Sequence, residues 1–137
     1  MEIQEPFQAI ADWLHWVLML DEQLWAEPEY VGRRDGDEWG RAIPGLRHVW
    51  NLMRHHGHRM DEFVVIRPTD GWRFPLTFPL AFRDTSWRSF DELPLIPPEK
   101  GTRWLAHEER TYQQHLAGNG VRLVAHNVTA FLASEAG

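Results

Sequence analysis

The stretch RHVWNLMRHHGHR, residues 47–59, concentrates side chains that could do chemistry. It holds four histidines, three arginines and no acidic residue. Arginine forks match the oxygens of a phosphate group, and imidazole exchanges protons near neutral pH. The composition therefore allows three interpretations: phosphate or RNA chemistry, metal binding, or a polar helix surface that faces solvent or a partner.

A helix that begins near Pro44 would sort these residues onto two faces. The apolar face would carry Leu46, Val49, Trp50 and Met53. The polar stripe, at spacing i, i+4, i+8 and i+11, would consist of Arg47, Asn51, His55 and His58, with Arg54 beside it. This helix is expected to continue until Arg67-Pro68 ends it, with Gly57 inside it because close helix packing excludes a side chain there.

Histidine spacing also permits a metal site on the same helix. His55 and His58 stand at i, i+3, and His58 and Glu62 at i, i+4, so their side chains could converge on one ion. His56 lies nearer the apolar face and is expected to be a packed histidine with a satisfied hydrogen bond. No metal or other cofactor is expected as part of the leading interpretation.

The frame Trp50-Asn51-Leu52-Met53-Arg54-His55 resembles the motif of the HEPN superfamily (higher eukaryotes and prokaryotes nucleotide-binding). That motif is an arginine followed a few residues later by a histidine, often with an asparagine directly after the arginine. Here Asn51 and His55 match, Trp50 stands where the family has its arginine, and Arg47 lies one residue too far from His55. More diffusely, GLRHVWNLMRHH, FPLTFPLAF, DELP and HLAGNGVR are similar to segments of small actinobacterial proteins.

Many HEPN proteins are metal-independent endoribonucleases of toxin–antitoxin and phage-defence systems. The resemblance therefore implies an RNA or nucleotide partner, with His55 as acid or base and Asn51 as its orienting residue. Arg47, Arg54 and His58 would contact phosphate. An inactive relative would instead bind RNA, a nucleotide or a protein partner, and a metal-binding helical bundle is a further alternative.

The hydrophobic pattern predicts a mainly α fold in one domain, residues 1–137: a four-helix bundle with a short extended or two-stranded insert. The helices are expected at 6–26, from 44 onward, at 99–117 and at 121–133, and the polar segment 28–40 is expected to be a loop. The insert, about 67–98, would contain a strand at 74–82 and a return strand near Trp87 and Phe90. The charged residues of the third helix are expected to be exposed: His107, Glu108, Glu109 and His115.

Charge and composition narrow the partners. The net charge is −6, with −8 in residues 1–40, +4 in residues 41–59 and −2 in the remainder, so the chain is not expected to coat double-stranded DNA. The absence of cysteine, of a basic leader and of a long apolar run predicts a cytoplasmic protein without a membrane partner. Eight tryptophans exceed what one apolar stripe needs, which suggests a homodimer or a protein partner.

Overall fold

A computed structural model gives the fold and describes residues 4–66, 85–96 and 103–137. This part of the chain is mainly helical, with one small antiparallel sheet, as the sequence predicts. Its helices are α1 (Gln4–Leu24), α2 (Tyr30–Gly36), α3 (Ile43–His56), α4 (Leu105–His115) and α5 (Val121–Ala136). The strands are β1 (Val64–Ile66) and β2 (Thr85–Trp87). Because α2 is a fifth helix, the described chain does not reproduce the expected set of four.

The core lies between α1, α3, α4 and α5. Every third or fourth residue of α1 is buried, and the buried stripe consists of Ile10, Trp13, Leu14, Val17 and Leu18. The indole Nε1 of Trp13 donates a hydrogen bond to Thr129 Oγ1 at 3.0 Å, which joins α1 to α5. No helix in the described ranges combines the length and apolar character needed to cross a membrane.

Helices α3 and α4 approach each other at a glycine. A Cβ atom added to Gly45 would lie 2.9 Å from the backbone of Tyr112, so only glycine permits this contact. Close helix packing therefore does require a glycine on this helix, but at Gly45 and not at Gly57. The space around Gly57 is open, because a Cβ atom there would meet no other atom within 4 Å.

The expected continuation of the second helix as far as Arg67-Pro68 is wrong, because α3 ends at His56. Gly57 has φ 72° and caps α3 in the left-handed conformation, which other residues adopt at a cost. A 3-10 turn, Met60–Glu62, follows, and the chain then enters β1. The end of α3 also removes His58 from the polar stripe, since the helical spacing stops at His56.

The expected loop at 28–40 contains α2. This helix has seven residues, and its two buried side chains, Tyr30 and Arg34, stand one turn apart. Both bond to the carboxylate of Asp21 on α1. The sequence predicts a loop here because the helix has only seven residues and no long apolar stripe, and its bonds to Asp21 add to the packing of Tyr30 and Val31 against the core.

Strand β2 is bonded on both sides. It pairs antiparallel with β1 in the register Val64↔Trp87 and Ile66↔Thr85. On its other side, Trp87 donates its backbone N–H to the Asn119 carbonyl at 2.9 Å and accepts from the Gly118 N–H at 2.9 Å. The return strand near Trp87 is thus confirmed, whereas Phe90 belongs to a 3-10 turn, Phe90–Glu92. The expected strand at 74–82 lies outside the described residues.

Candidate functional site

Three of the expected site residues lie on α3 at helical spacing. Arg47, Asn51 and His55 follow one another at i, i+4 and i+8 along the helix. Each has different neighbours, which come from α1, from α4 and from α3 itself. The stripe is therefore present as a geometric feature, but its members do not form one cluster.

Arg47 forms ion pairs with two carboxylates of α1. Its guanidinium donates to Asp21 Oδ2 at 2.9 Å and to Glu22 Oε1 at 3.0 Å. Asp21 is fully buried, and it also accepts from the Tyr30 hydroxyl at 2.7 Å and from Arg34 Nη1 at 3.2 Å. Two arginines and one tyrosine thus satisfy one buried carboxylate, and a phosphate would compete with Asp21 for Arg47.

Asn51 reaches across to α4. Its amide Nδ2 donates to Glu108 Oε1 at 3.3 Å, so the asparagine orients a carboxylate and not His55. Glu108 is 7% exposed, which corrects the expectation that it is a solvated helix charge. Burial raises the pKa of Glu108 to about 6, against the lowering effects of the Arg47 charge and of the Asn51 hydrogen bond.

His55 lies at the exposed end of the stripe, in a surface we call the His55 shelf: Trp50, Met53, Arg54 and His55. The Arg54 guanidinium lies over the Trp50 ring at 5.7 Å, and His15 packs against the same indole at 5.1 Å between ring centroids. Trp50 therefore holds Arg54 beside His55 through a cation–π contact. The shelf combines a cation and a titratable imidazole at the surface.

His58 belongs to another part of the surface. Its Nδ1 lies 3.2 Å from Glu62 Oε1, and both residues line a shallow depression together with Arg59, Asp61, Arg88 and Glu92. The His58–Glu62 pair expected from spacing is thus formed, as a hydrogen bond. Among the residues that the structure describes, no group of three or more histidine and acidic side chains is arranged to hold a metal ion.

The packed histidine is His48 and not His56. His48 is 1% exposed and contacts the rings of Phe90 and Tyr112, whereas His56 is only partly buried. Within the described ranges neither ring nitrogen of His48 has a hydrogen-bond partner. Burial therefore lowers the pKa of His48 to about 4, and the ring is neutral at pH 7.

Beside Arg47 the stripe opens into a partly enclosed cavity of about 180 Å³, here called the indole pocket. Trp25 and Trp104 line it and are 53% and 54% exposed. The other residues of its wall are Val31, Arg34, Asp35, Pro44, Arg47, His107 and Glu108. The pocket thus presents two accessible indoles, apolar side chains and a buried carboxylate in one space, which suits a small planar ligand with polar edges.

The sequence did contain a signal for Glu108. Trp104, Glu108, Tyr112 and Leu116 stand at successive intervals of four, so the acid precedes two buried residues on one stripe: Tyr112 within α4 and Leu116 at its C-terminal cap. An acid on an apolar stripe is a candidate for a buried functional group. Asp21 carried a weaker signal, because a single acid near the end of an amphipathic helix is common on exposed surfaces.

Comparison with known proteins identifies no relative. No protein-family model matches the chain, and no curated protein sequence and no solved structure matches it significantly. The stripe of α3 and the indole pocket are therefore the features from which a function can be inferred.

Proposed function

We propose that this protein binds single-stranded RNA or a nucleotide along the polar stripe of α3. The observation that carries the proposal is the indole pocket, where Trp25 and Trp104 flank a cavity that is large enough for one base. Bases from single strands stack on aromatic side chains, and their edges bond to polar groups in the same pocket. A wall with arginine, carboxylate and histidine supplies those polar groups.

The His55 shelf supports the proposal from the other end of the stripe. Arg47 and His55 are eight residues apart, or about 12 Å along a helix. Arg54 has no carboxylate partner among the described residues and is exposed, so its charge is available to a phosphate. A base in the pocket and a phosphate at the shelf would therefore engage adjoining parts of one strand.

We further propose that the bound RNA is cleaved without metal, with His55 as the acid or base and Arg54 as its phosphate contact. Arg47 and Asn51 would then act indirectly, since their side chains bond to Asp21 and Glu108. His58 would contact phosphate only of a strand long enough to reach its separate depression. In this chemistry imidazole takes a proton from the attacking hydroxyl or gives one to the leaving oxygen.

Binding is tested by fluorescence anisotropy with a labelled single-stranded RNA of mixed sequence. Trp104→Ala should weaken binding at least about tenfold, because base stacking on an aromatic ring contributes about 1–3 kcal/mol. Trp16→Ala is the matched control, since Trp16 is 44% exposed but does not line the pocket. Equal binding by wild type and Trp104→Ala would remove the pocket from RNA recognition.

Cleavage is measured on the same RNA in excess EDTA. The wild type should cleave, His55→Ala should not, and His126→Ala should cleave as the wild type does, because His126 is an exposed histidine on α5. Equal cleavage by the wild type and His55→Ala would remove His55 from catalysis. RNA binding without cleavage would leave a binding protein.

A protein partner or a second copy of the chain is the alternative occupant of the surface. It is favoured by Trp16 and Met19, which stand three residues apart on α1 and are 44% and 47% exposed. If Trp16→Ala changes the sedimentation of the protein while Trp104→Ala leaves RNA binding unchanged, this alternative replaces the RNA proposal.

A further inference from the structure

The volume of the indole pocket limits its ligand to one small ring system. At about 180 Å³ it is well below the roughly 300–1,000 Å³ of pockets that take drug-sized ligands. Val31 and Pro44 add apolar surface beside the indoles of Trp25 and Trp104. One planar base with its edge turned inward matches this space, and a pair of stacked bases would exceed it.

The charged side chains of the wall balance one another, because Arg34 and Arg47 stand against Asp35 and Glu108. Both arginines are already bonded to the carboxylate of Asp21. A neutral ligand that offers N–H donors can therefore pair with a carboxylate of the wall without bringing a further charge into a partly enclosed space.

Glu108 is the acceptor that such a ligand would meet. It is 7% exposed, lines the pocket, and among the described residues accepts one side-chain hydrogen bond, from Asn51 at 3.3 Å. An ionised carboxylate has about four acceptor positions, and buried acceptors are costly to leave unpaired. Glu108 thus has room for two further donors, and a pair of parallel N–H groups would use both of its oxygens.

We propose that the indole pocket binds guanine, with the carboxylate of Glu108 accepting the N1–H and one N2–H of the base. This inference rests on the proposed binding of RNA or nucleotides and names the base. Guanine alone among the four RNA bases presents two adjacent donors on its pairing edge. Adenine and cytosine present a donor beside an acceptor, and uracil presents one donor between two acceptors, so each would place an acceptor against the carboxylate.

The test is calorimetric titration of the wild type, at pH 7.5, with the 5′-monophosphates of guanosine, inosine, adenosine, cytidine and uridine. Guanosine monophosphate should bind at least about tenfold more tightly than inosine monophosphate, which lacks the N2 amino group. Adenosine, cytidine and uridine monophosphates should bind more weakly still. Equal affinity for the guanosine and inosine nucleotides would overturn the assignment of the N2–H contact to Glu108.

Two variants test whether Glu108 is the residue that causes the preference for guanosine monophosphate. Glu108→Gln should abolish the preference for guanosine over inosine monophosphate, because an amide has one acceptor oxygen where the carboxylate has two. Glu109→Gln, on the same helix but outside the pocket wall, should keep it. If Glu108→Gln does not fold, the comparison of nucleotides on the wild type still decides the question.

The RNA experiment separates the two proposals. If single-stranded RNA binds with no preference for guanine and all monophosphates bind equally, the guanine assignment fails and RNA binding stands. If neither RNA nor any monophosphate binds, both fail. If the guanosine nucleotide binds selectively and RNA does not, the pocket is a guanine site and the proposed RNA function is withdrawn.

Discussion

The two sides of α3 bury polar groups in opposite ways. On the side of α1 and α2, the fully buried Asp21 is bonded to Tyr30, Arg34 and Arg47. On the side of α4, the almost fully buried His48 is enclosed by Phe90 and Tyr112 and has no hydrogen-bond partner among the described residues. The first group is stable as a charge because it is paired, and the second is stable only while it is neutral.

Asp21 and His48 contact different helices, so the two residues affect different parts of the fold. Asp21 bonds to Tyr30 and Arg34 of the seven-residue helix α2, and it orients Arg47 at the wall of the indole pocket. His48, on α3, packs against Tyr112 of α4 and Phe90 of the 3-10 turn, so its surroundings are aromatic. We therefore expect the Asp21 contacts to hold α2 and Arg47 in place, and His48 to make the protein sensitive to acid.

The largest effect should come from removing the charge of Asp21. Asp21→Asn leaves Arg34 and Arg47 near an uncharged amide, and breaking a buried ion pair in this way costs about 3–5 kcal/mol. The free energy of unfolding, measured by urea titration, should fall by that amount. Asp12→Asn is the control: Asp12 is exposed on the same helix, accepts one side-chain hydrogen bond, from Gln8, and should lose less than about 1 kcal/mol. Equal losses would show that the burial of Asp21 has no energetic consequence.

The next largest effect should be a loss of folding stability at acidic pH, caused by His48. Its pKa is lowered by burial from 6.5 to about 4, so the unfolded chain binds a proton that the folded chain does not. Stability should therefore fall as pH decreases from 6.5 to 4, by roughly 3 kcal/mol for this residue. Well above pH 6.5 both states are neutral at His48, and its contribution is constant.

His48→Leu isolates that contribution, because other groups titrate in the same range. Burial raises the pKa of Glu108 to about 6, which opposes the loss, since the folded protein then takes up the proton first. The difference in unfolding free energy between His48→Leu and the wild type should grow by roughly 3 kcal/mol between pH 7 and pH 4. Parallel stability curves for the two proteins would mean that His48 is protonated without penalty in the fold.

The smallest effect should come from removing an uncharged group that bonds to Asp21, the Tyr30 hydroxyl. Tyr30→Phe removes a hydroxyl that donates to Asp21 at 2.7 Å and leaves both arginines in place. A hydrogen bond to a charged group contributes about 1.5–3 kcal/mol, so the loss in urea titration should lie in that range and below that of Asp21→Asn. A loss as large as that of Asp21→Asn would mean that the hydroxyl, and not the ion pairs, holds α2.

Most of the helices could be predicted from the sequence, because apolar periodicity is a property of neighbouring residues. The stripes of α1, of the first part of α3 and of α5 predicted helices within a few residues of their ends, except at α3. Gly57 was misread because a glycine on a helical stripe looks the same whether it is packed or left-handed. The sequence does not predict α2 because the helix is short and two of its side chains bond to Asp21, which lies nine residues before Tyr30 and on another helix.

Less of the site could be predicted from the sequence, because its contacts join residues of different helices. Spacing correctly placed Arg47, Asn51 and His55 on one face of α3, but it could not show that Asp21 and Glu108 would bond to the first two. Those partners come from α1 and α4, and no local pattern relates them to α3. Only the position of Glu108 on the stripe of α4 hinted that the acid would face inward.

The hydrogen bonds of β2 bear on how copies of this protein could associate. Strand β2 pairs with β1 on one side, and on the other side the backbone of Trp87 bonds to Asn119 and Gly118, so β2 has a partner on both sides although the sheet of the described residues has two strands. A strand that is paired on both sides offers no template on which another chain can extend the sheet. At β2, edge-to-edge pairing between copies, the usual hazard of small sheets, would first require the turn between α4 and α5 to detach.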